Sequence, residues 1–312
     1  MNSGLSQVAE SNITAKPARL YYIDWLRMLA MFSIFFYHCN RFFTLAGWHV
    51  KNNVTSLGST VFMQLFNQWM MPLFFVISGA AVYYSLKSRK TRGFIKERTL
   101  RILIPLVSIG IFVLAPPQVY LERLTHGEFS GSFFQFYPHY FDGLYGLGGN
   151  FAWMGVHLWY LMDLFIFSLI ALPLFLPLAA VWVLADVAGL GFTRQMSGWD
   201  ILSYLLFFIY GYLVFSNTRI QETIRKYSTV ALIATVVLAI YGLVMEFVVK
   251  MPVLFGTPYY MSVVLVRALR AWCWLIAILG FGSRFLNFNN RFLGYANEAV
   301  LPFYIWRNCK KV

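Results

Sequence analysis

Residues 61–101 read VFMQLFNQWMMPLFFVISGAAVYYSLKSRKTRGFIKERTLR, an apolar run over 61–86 followed at once by a basic loop. About 20 helical residues cross the roughly 30 Å of hydrocarbon in a bilayer, so this run is long enough to span it. The loop carries Lys87, Arg89, Lys90, Arg92, Lys96, Arg98 and Arg101 against a single acid, Glu97. Lysine and arginine gather on the cytoplasmic side of membrane proteins, and the loop is read as cytoplasmic for that reason.

The same ruler laid along the rest of the chain marks further spans at 20–42, 102–120, 156–173, 174–192, 201–216, 229–249, 262–283 and 292–306. The expected fold class is all-α: a polytopic integral membrane helical bundle of about nine spans. Pro173 and Pro177 break what is otherwise one long apolar stretch into the pair 156–173 and 174–192. Alternation from the cytoplasmic loop puts the amino terminus inside, the 121–155 segment outside and the loop of Arg219, Arg225 and Lys226 inside. Arg267 and Arg270 fall near the outer end of their span, against the charge rule. The reading adopted is a span that starts near residue 268; the alternative is an arginine pair facing a polar cavity.

Composition agrees with a lipid environment. Of 312 residues, 59% are hydrophobic and 12% charged, against about 25% charged in a soluble domain. Aromatics at 19% suit a protein anchored at two membrane interfaces. The net charge of +13 sits in short clusters between apolar runs rather than in one stripe, which speaks for membrane orientation and against a nucleic-acid partner. Cys39, Cys273 and Cys309 show no metal-ligand spacing and are assigned no chemistry. Residues 1–19 are polar and carry no cleavable signal, so the first apolar run is expected to be a permanent anchor following a cytosolic segment. Residues 20–312 then form one membrane domain without repeats or linkers.

Ionisable groups inside a span cost at least about 2.5 kcal/mol on insertion scales, so each invites a functional question. The first span holds Asp24, Arg27 and His38. Asp24 and Arg27 lie three apart on one helix face and can pair, which lowers the cost of burying both. His38 follows Arg27 by eleven residues, a rise of about 16 Å, so the two project to similar faces at different depths. A permanent cation suits phosphate or carboxylate, and an imidazole suits proton transfer between a hydroxyl and a leaving thiolate. A structural, hydrogen-bonded histidine is the alternative. Asp163 and Glu246 are further acids in apolar runs, available to pair with the arginines or to orient a histidine.

The opening Asp24-Trp25-Leu26-Arg27, then ten residues, then His38 resembles the Arg-x10-His signature of the membrane acyltransferase 3 family, which includes bacterial polysaccharide O-acetyltransferases. Met71-Pro72-Leu73-Phe74-Phe75-Val76-Ile77-Ser78-Gly79, Arg98-Thr99-Leu100-Arg101 before Ile104-Pro105, and His157-Leu158-Trp159-Tyr160-Leu161 agree in order and spacing, and the resemblance runs from about residue 20 onward. It implies a cytosolic acyl-CoA donor, acetyl-CoA or succinyl-CoA, with His38 as the catalytic histidine and Arg27 on the donor side. The acceptor would be a glycan hydroxyl, and the setting a bacterial inner membrane.

Several matched residues keep two readings. Arg98 and Arg101 fit the family's Arg-x-x-Arg at the donor mouth, or are positive-inside anchors. Ser78 and Gly79 support the site, or are small residues for close helix packing. His157 and Trp159 touch the acceptor, or belong to an interfacial aromatic belt. The aromatic stretch 133–151, with His139 and Asp142, holds a sugar or anchors at the interface. The chain departs from the family after Phe303-Tyr304-Ile305, where Arg307 stands in place of a histidine and the last run is short. The expectation is a truncated last span, the family having ten. Competing readings of the whole are a transporter using Arg27, His38 and Asp163 as a polar path, and an inactive truncated relative.

Overall fold

The computed structural model describes residues 19–306 apart from positions 49, 89, 171–198, 246 and 248–257, and among the described residues the protein is helical with no strands. The expected span 174–192, Glu246, and the segments 1–18 and 307–312 lie outside the described residues. Helix α1 is Tyr21–Arg41, α2 Leu57–Asn67 and α3 Met70–Ser88. A long rod, α4, runs over Thr91–Thr125, and the short α5 is Phe133–His139. A 3-10 turn, Val156–Leu158, leads into α6, Trp159–Ile170. Then follow α7, Ile201–Ser216, α8, Thr218–Val244, α9, Pro258–Phe285, and α10, Arg291–Trp306.

Against the expectation of nine spans, the described residues hold four helices long and apolar enough to cross a membrane: Leu57–Ser88, Thr91–Thr125, Thr218–Val244 and Ser262–Phe285. Val156–Leu169 and Ile201–Ser216 are shorter apolar helices. Val230, Ile233, Val236, Val237 and Ile240 of α8 all point out of the bundle. A ribbon of large apolar side chains on the outside suits lipid and not water.

Two prolines shape the longest runs. Pro72 has no N–H, and its ring collides with the carbonyl four residues earlier, which is Gln68. The run Leu57–Ser88 breaks at that place: Gln68 and Trp69 form a turn, and Pro72 sits in the first turn of α3, where its missing donor costs nothing. In α4, Pro105 lies between two stretches of wide helical turn, Thr99–Leu103 and Leu106–Leu114, in which Ile104 N–H donates to Thr99 O and Ala115 N–H to Gly110 O.

The core sits where α3, α6 and α7 meet, around Phe75, Phe167, Tyr204 and Phe208. Phe75 stacks on Tyr204 at 4.6 Å and contacts Phe167 at 5.5 Å. Helices α3 and α7 touch backbone to backbone at two glycines. A Cβ on Gly79 would lie 2.0 Å from Phe208 O, and one on Gly211 would lie 2.1 Å from Val76 O. A second, smaller core caps the bundle at the far end of α4, where Ala115, Val119, Phe136, Tyr140 and Ala152 pack together. The Tyr140 hydroxyl donates to Ile111 O at 2.8 Å and accepts from Ala152 N–H at 3.2 Å, and Arg123 donates to Asn150 Oδ1 and Gly149 O, each at 2.9 Å. Much of the aromatic stretch 133–151 is thus committed to packing this cap.

One expectation is corrected. Helix α9 does not begin near residue 268: it starts at Pro258 and carries Arg267 and Arg270 within it. Arg267 lays its guanidinium over the Trp199 ring at 4.6 Å, and the Arg270 guanidinium rests on Gly242 of α8. Each cation finds an internal surface to lie on, so the helix has no reason to stop short of them.

Gly79→Ala should destabilise the bundle by about 1–3 kcal/mol or more, because the added methyl meets backbone that cannot move alone. Gly47→Ala, with open space around it, should be silent, and thermal unfolding in detergent compares the two.

Candidate active site

The first polar centre assembles from four helices near the start of α1. Asp24 is buried and accepts from Arg19 Nε and Nη2 at 3.0 and 2.7 Å and from Arg27 Nη1 at 3.2 Å. The Asp24–Arg27 pair read from their spacing therefore forms, with Arg19 as a third member. Arg27 keeps 34% of its side chain exposed. Arg27 and Arg98 both lie within electrostatic range of the buried Tyr160 hydroxyl, which shares a 2.6 Å hydrogen bond with Ser78 Oγ. Arg27 of α1, Ser78 of α3, Arg98 of α4 and Tyr160 of α6 thus converge.

Two residues matched to the same motif separate here. Arg98 turns inward over the Phe94 ring at 5.1 Å. Arg101 stays 74% exposed and pairs with Glu97 at 3.3 Å, so it lies outside the convergence. Ser78 and Gly79 also divide: the serine is a polar partner of Tyr160, and the glycine serves the close approach of α7.

The second centre lies at the other end of α1. His38 is in its last turn, its ring edge-on to Tyr37 at 5.3 Å and to Trp48 at 6.1 Å. Arg41 stacks over Trp48 at 4.7 Å and donates to Met63 Sδ, and Asn40 Nδ2 donates to Ser59 O at 2.7 Å. These contacts bind the end of α1 to α2. The break at Gln68 lies alongside: the Asn67 side chain is next to the Tyr37 hydroxyl, Trp199 Nε1 donates to Asn67 O at 3.2 Å, and Trp274 Nε1 donates to Gln68 Oε1 at 3.0 Å.

The two centres lie at matched spacing along two antiparallel helices. Along α1, Arg27 precedes His38 by eleven residues, a rise of about 16 Å. Helix α3 runs the opposite way, and Ser78 follows Gln68 by ten residues, a rise of about 15 Å. One end of the bundle interior presents fixed positive charge and hydroxyls; the other presents an imidazole, amides and indoles.

His157 and Trp159 stand at the start of the apolar helix Val156–Leu169. His157 is buried and its Nδ1 bonds Gln118 Oε1 at 2.9 Å. Trp159 packs on Phe75 at 6.3 Å and Tyr204 at 5.2 Å. The segment enters the bundle directly through the 3-10 turn, which carries both rings inside. Asp163 pairs with no arginine among the described residues: it is fully buried, and neither carboxyl oxygen has a hydrogen-bond partner there. Tyr160, Gln68, Trp199 and Trp274 were not singled out from the sequence. The one signal for Gln68 was Pro72 four residues later.

A family model described as an acyltransferase domain matches residues 20–307. Among curated proteins, glucans biosynthesis protein C of Escherichia coli K12 and that of Shigella dysenteriae serotype 1 are each 27% identical over 158 residues. That stretch is 50% of this chain and 39% of each relative. No solved structure matches.

Ser78→Ala and Tyr160→Phe should each cost about 1 kcal/mol, and a double-mutant cycle on unfolding should return a coupling of similar size. Additive losses would mean that the two hydroxyls do not sustain one another.

Proposed function

We propose a function for this chain on the ground that it belongs to the acyltransferase 3 family. It moves an acetyl or succinyl group from cytosolic acyl-CoA to a hydroxyl of a glycan, in a bacterial inner membrane with the amino terminus in the cytoplasm. The observation that carries this reading is the pair of unlike polar centres on α1, guanidinium at one end and imidazole at the other, with matching centres on α3.

Arg27 and Arg98 are suited to the phosphates of the donor, since a guanidinium is always charged and presents a planar fork of donors. Arg101, on the exposed face, supplies attraction at the entrance rather than a contact. A donor held there extends its flexible arm along the interior and brings the thioester to His38. A neutral His38 nitrogen takes the proton of the acceptor hydroxyl as that oxygen attacks the thioester carbonyl. The tetrahedral centre then collapses, the C–S bond breaks, and the thiolate receives the proton from His38. The products are an O-acyl ester and free CoA thiol; no proton is gained or lost, and no covalent enzyme intermediate is needed. Tyr37 and Trp48 hold the imidazole edge-on, and pre-set orientation of a base is worth much of its effect. The name of the relatives, with glucans in it, supports a glucan as the acceptor.

The test uses the purified chain in nanodiscs with radiolabelled acetyl-CoA and succinyl-CoA and a gluco-oligosaccharide acceptor. His38→Ala should lower kcat by about two to four orders of magnitude with donor affinity kept. Arg27→Ala should weaken donor binding instead. Transfer that survives loss of His38, or the absence of donor binding in the folded parent chain, rejects the proposal.

A further inference from the structure

The break between α2 and α3 does not belong to the donor end. A proline kink frees helix carbonyls from their usual donors, and in hydrocarbon such groups are tolerated only where they are buried in protein or line a wet cavity. Here the interrupted span is Leu57–Ser88, one of the four long enough to cross the membrane, and the interruption lies inside it at Gln68 and Trp69.

What surrounds the break is of one chemical kind. Trp69 and Trp274 lie with ring centroids 6.0 Å apart. Trp274 Nε1 donates to the buried Gln68 side chain, and Trp199 Nε1 donates to Asn67 O. Arg267 covers Trp199, and Asp200 and Tyr260 act on Arg267 from nearby, so its positive charge is partly answered. The Asn67 side chain hydrogen-bonds with Tyr37, and its Oδ1 is buried with no hydrogen-bond partner among the described residues. An unmade bond of this sort is costly unless a ligand or water supplies the donor. Indole faces with planar amides and one compensated guanidinium match a pyranose ring: apolar C–H faces to lie on aromatics, and hydroxyls at the rim to exchange hydrogen bonds with amides.

We propose that this break is the subsite for the sugar ring that carries the accepting hydroxyl. Asn67 accepts from a sugar hydroxyl, the ring lies against the edge of the contacting Trp69–Trp274 pair, and Gln68, Trp199 and Arg267 hold those groups in place. The subsite is next to Tyr37, at the same end of α1 as His38 and away from the arginines of the donor end. The inference deepens the acyl-transfer reading and, for its catalytic meaning, rests on it.

The experiment titrates the full chain in nanodiscs with a β-linked gluco-oligosaccharide, read by intrinsic tryptophan fluorescence, and with acetyl-CoA in a separate binding assay. Asn67→Ala and Trp274→Phe should each weaken saccharide binding about tenfold, the loss expected for one hydrogen bond or ring contact. Acetyl-CoA binding should stay within about twofold, because the donor end is some 15 Å away along α3. Trp69→Phe, which keeps a ring at the break, serves as the mild variant should either of the others unfold, with a smaller loss in the same direction. No saturable fluorescence change with saccharide in the parent chain overturns the subsite. So does an equal loss of saccharide and acetyl-CoA binding, which marks a merely structural role. Saccharide binding that follows this pattern in a chain that never transfers acyl groups supports the subsite and rejects the acyl-transfer reading, so the two fail separately.

Discussion

A polar group carried into an apolar bundle has to be answered inside it, because lipid offers neither hydrogen bonds nor counter-charge. Asp24 is answered by Arg19 and Arg27, Ser78 by Tyr160, Gln68 by Trp274 and Arg267 by the face of Trp199. Apart from the Asp24 cluster, each of these partners comes from a distant part of the chain. Answering the polar groups therefore also decides which helices are neighbours: Ser78 sets α3 against α6, and Gln68 draws α9 to the break. Asp163 stands apart, a fully buried carboxyl with no such answer among the described residues.

Close packing supplies the remaining order. Gly79 and Gly211 let α3 and α7 meet at backbone distance, and that approach brings Phe75 onto Tyr204. Association of helices in lipid depends on such contact, since apolar surface gains little by leaving one hydrocarbon for another. The tight α3–α7 pair is a frame on which α6 and its Tyr160 are mounted. The two polar centres keep their depth difference because α1 and α3 are regular helices between them, and helical rise is the most dependable length in a protein.

Much of this was legible in residue order. Apolar runs over 61–86, 201–216 and 229–249 announced their helices, and the three-residue spacing of Asp24 and Arg27 announced their ion pair. The eleven-residue step to His38 gave the depth difference of the proposed site. The start of α9 was misread because a charge rule assumes that a cation seeks water, whereas Arg267 found an indole face supplied by a residue 68 positions earlier. His157 and Trp159 kept two readings, acceptor contact or interfacial belt, and the 3-10 turn with the burial of His157 was not legible from spacing.

The sequence by itself determined that this is a helical membrane protein, where its apolar runs and basic loops fall, and which intramembrane ions lie on one helix face. Those properties depend on hydrophobicity and on a fixed helical repeat, both local. The tertiary structure decided that Arg98 joins Arg27 while Arg101 does not, that Tyr160 is the partner of Ser78, and that a break forced by Pro72 gathers Trp199, Arg267 and Trp274 around Gln68. Those are agreements between side chains on different helices, and they follow from which surfaces interlock, a property that no spacing along one chain contains.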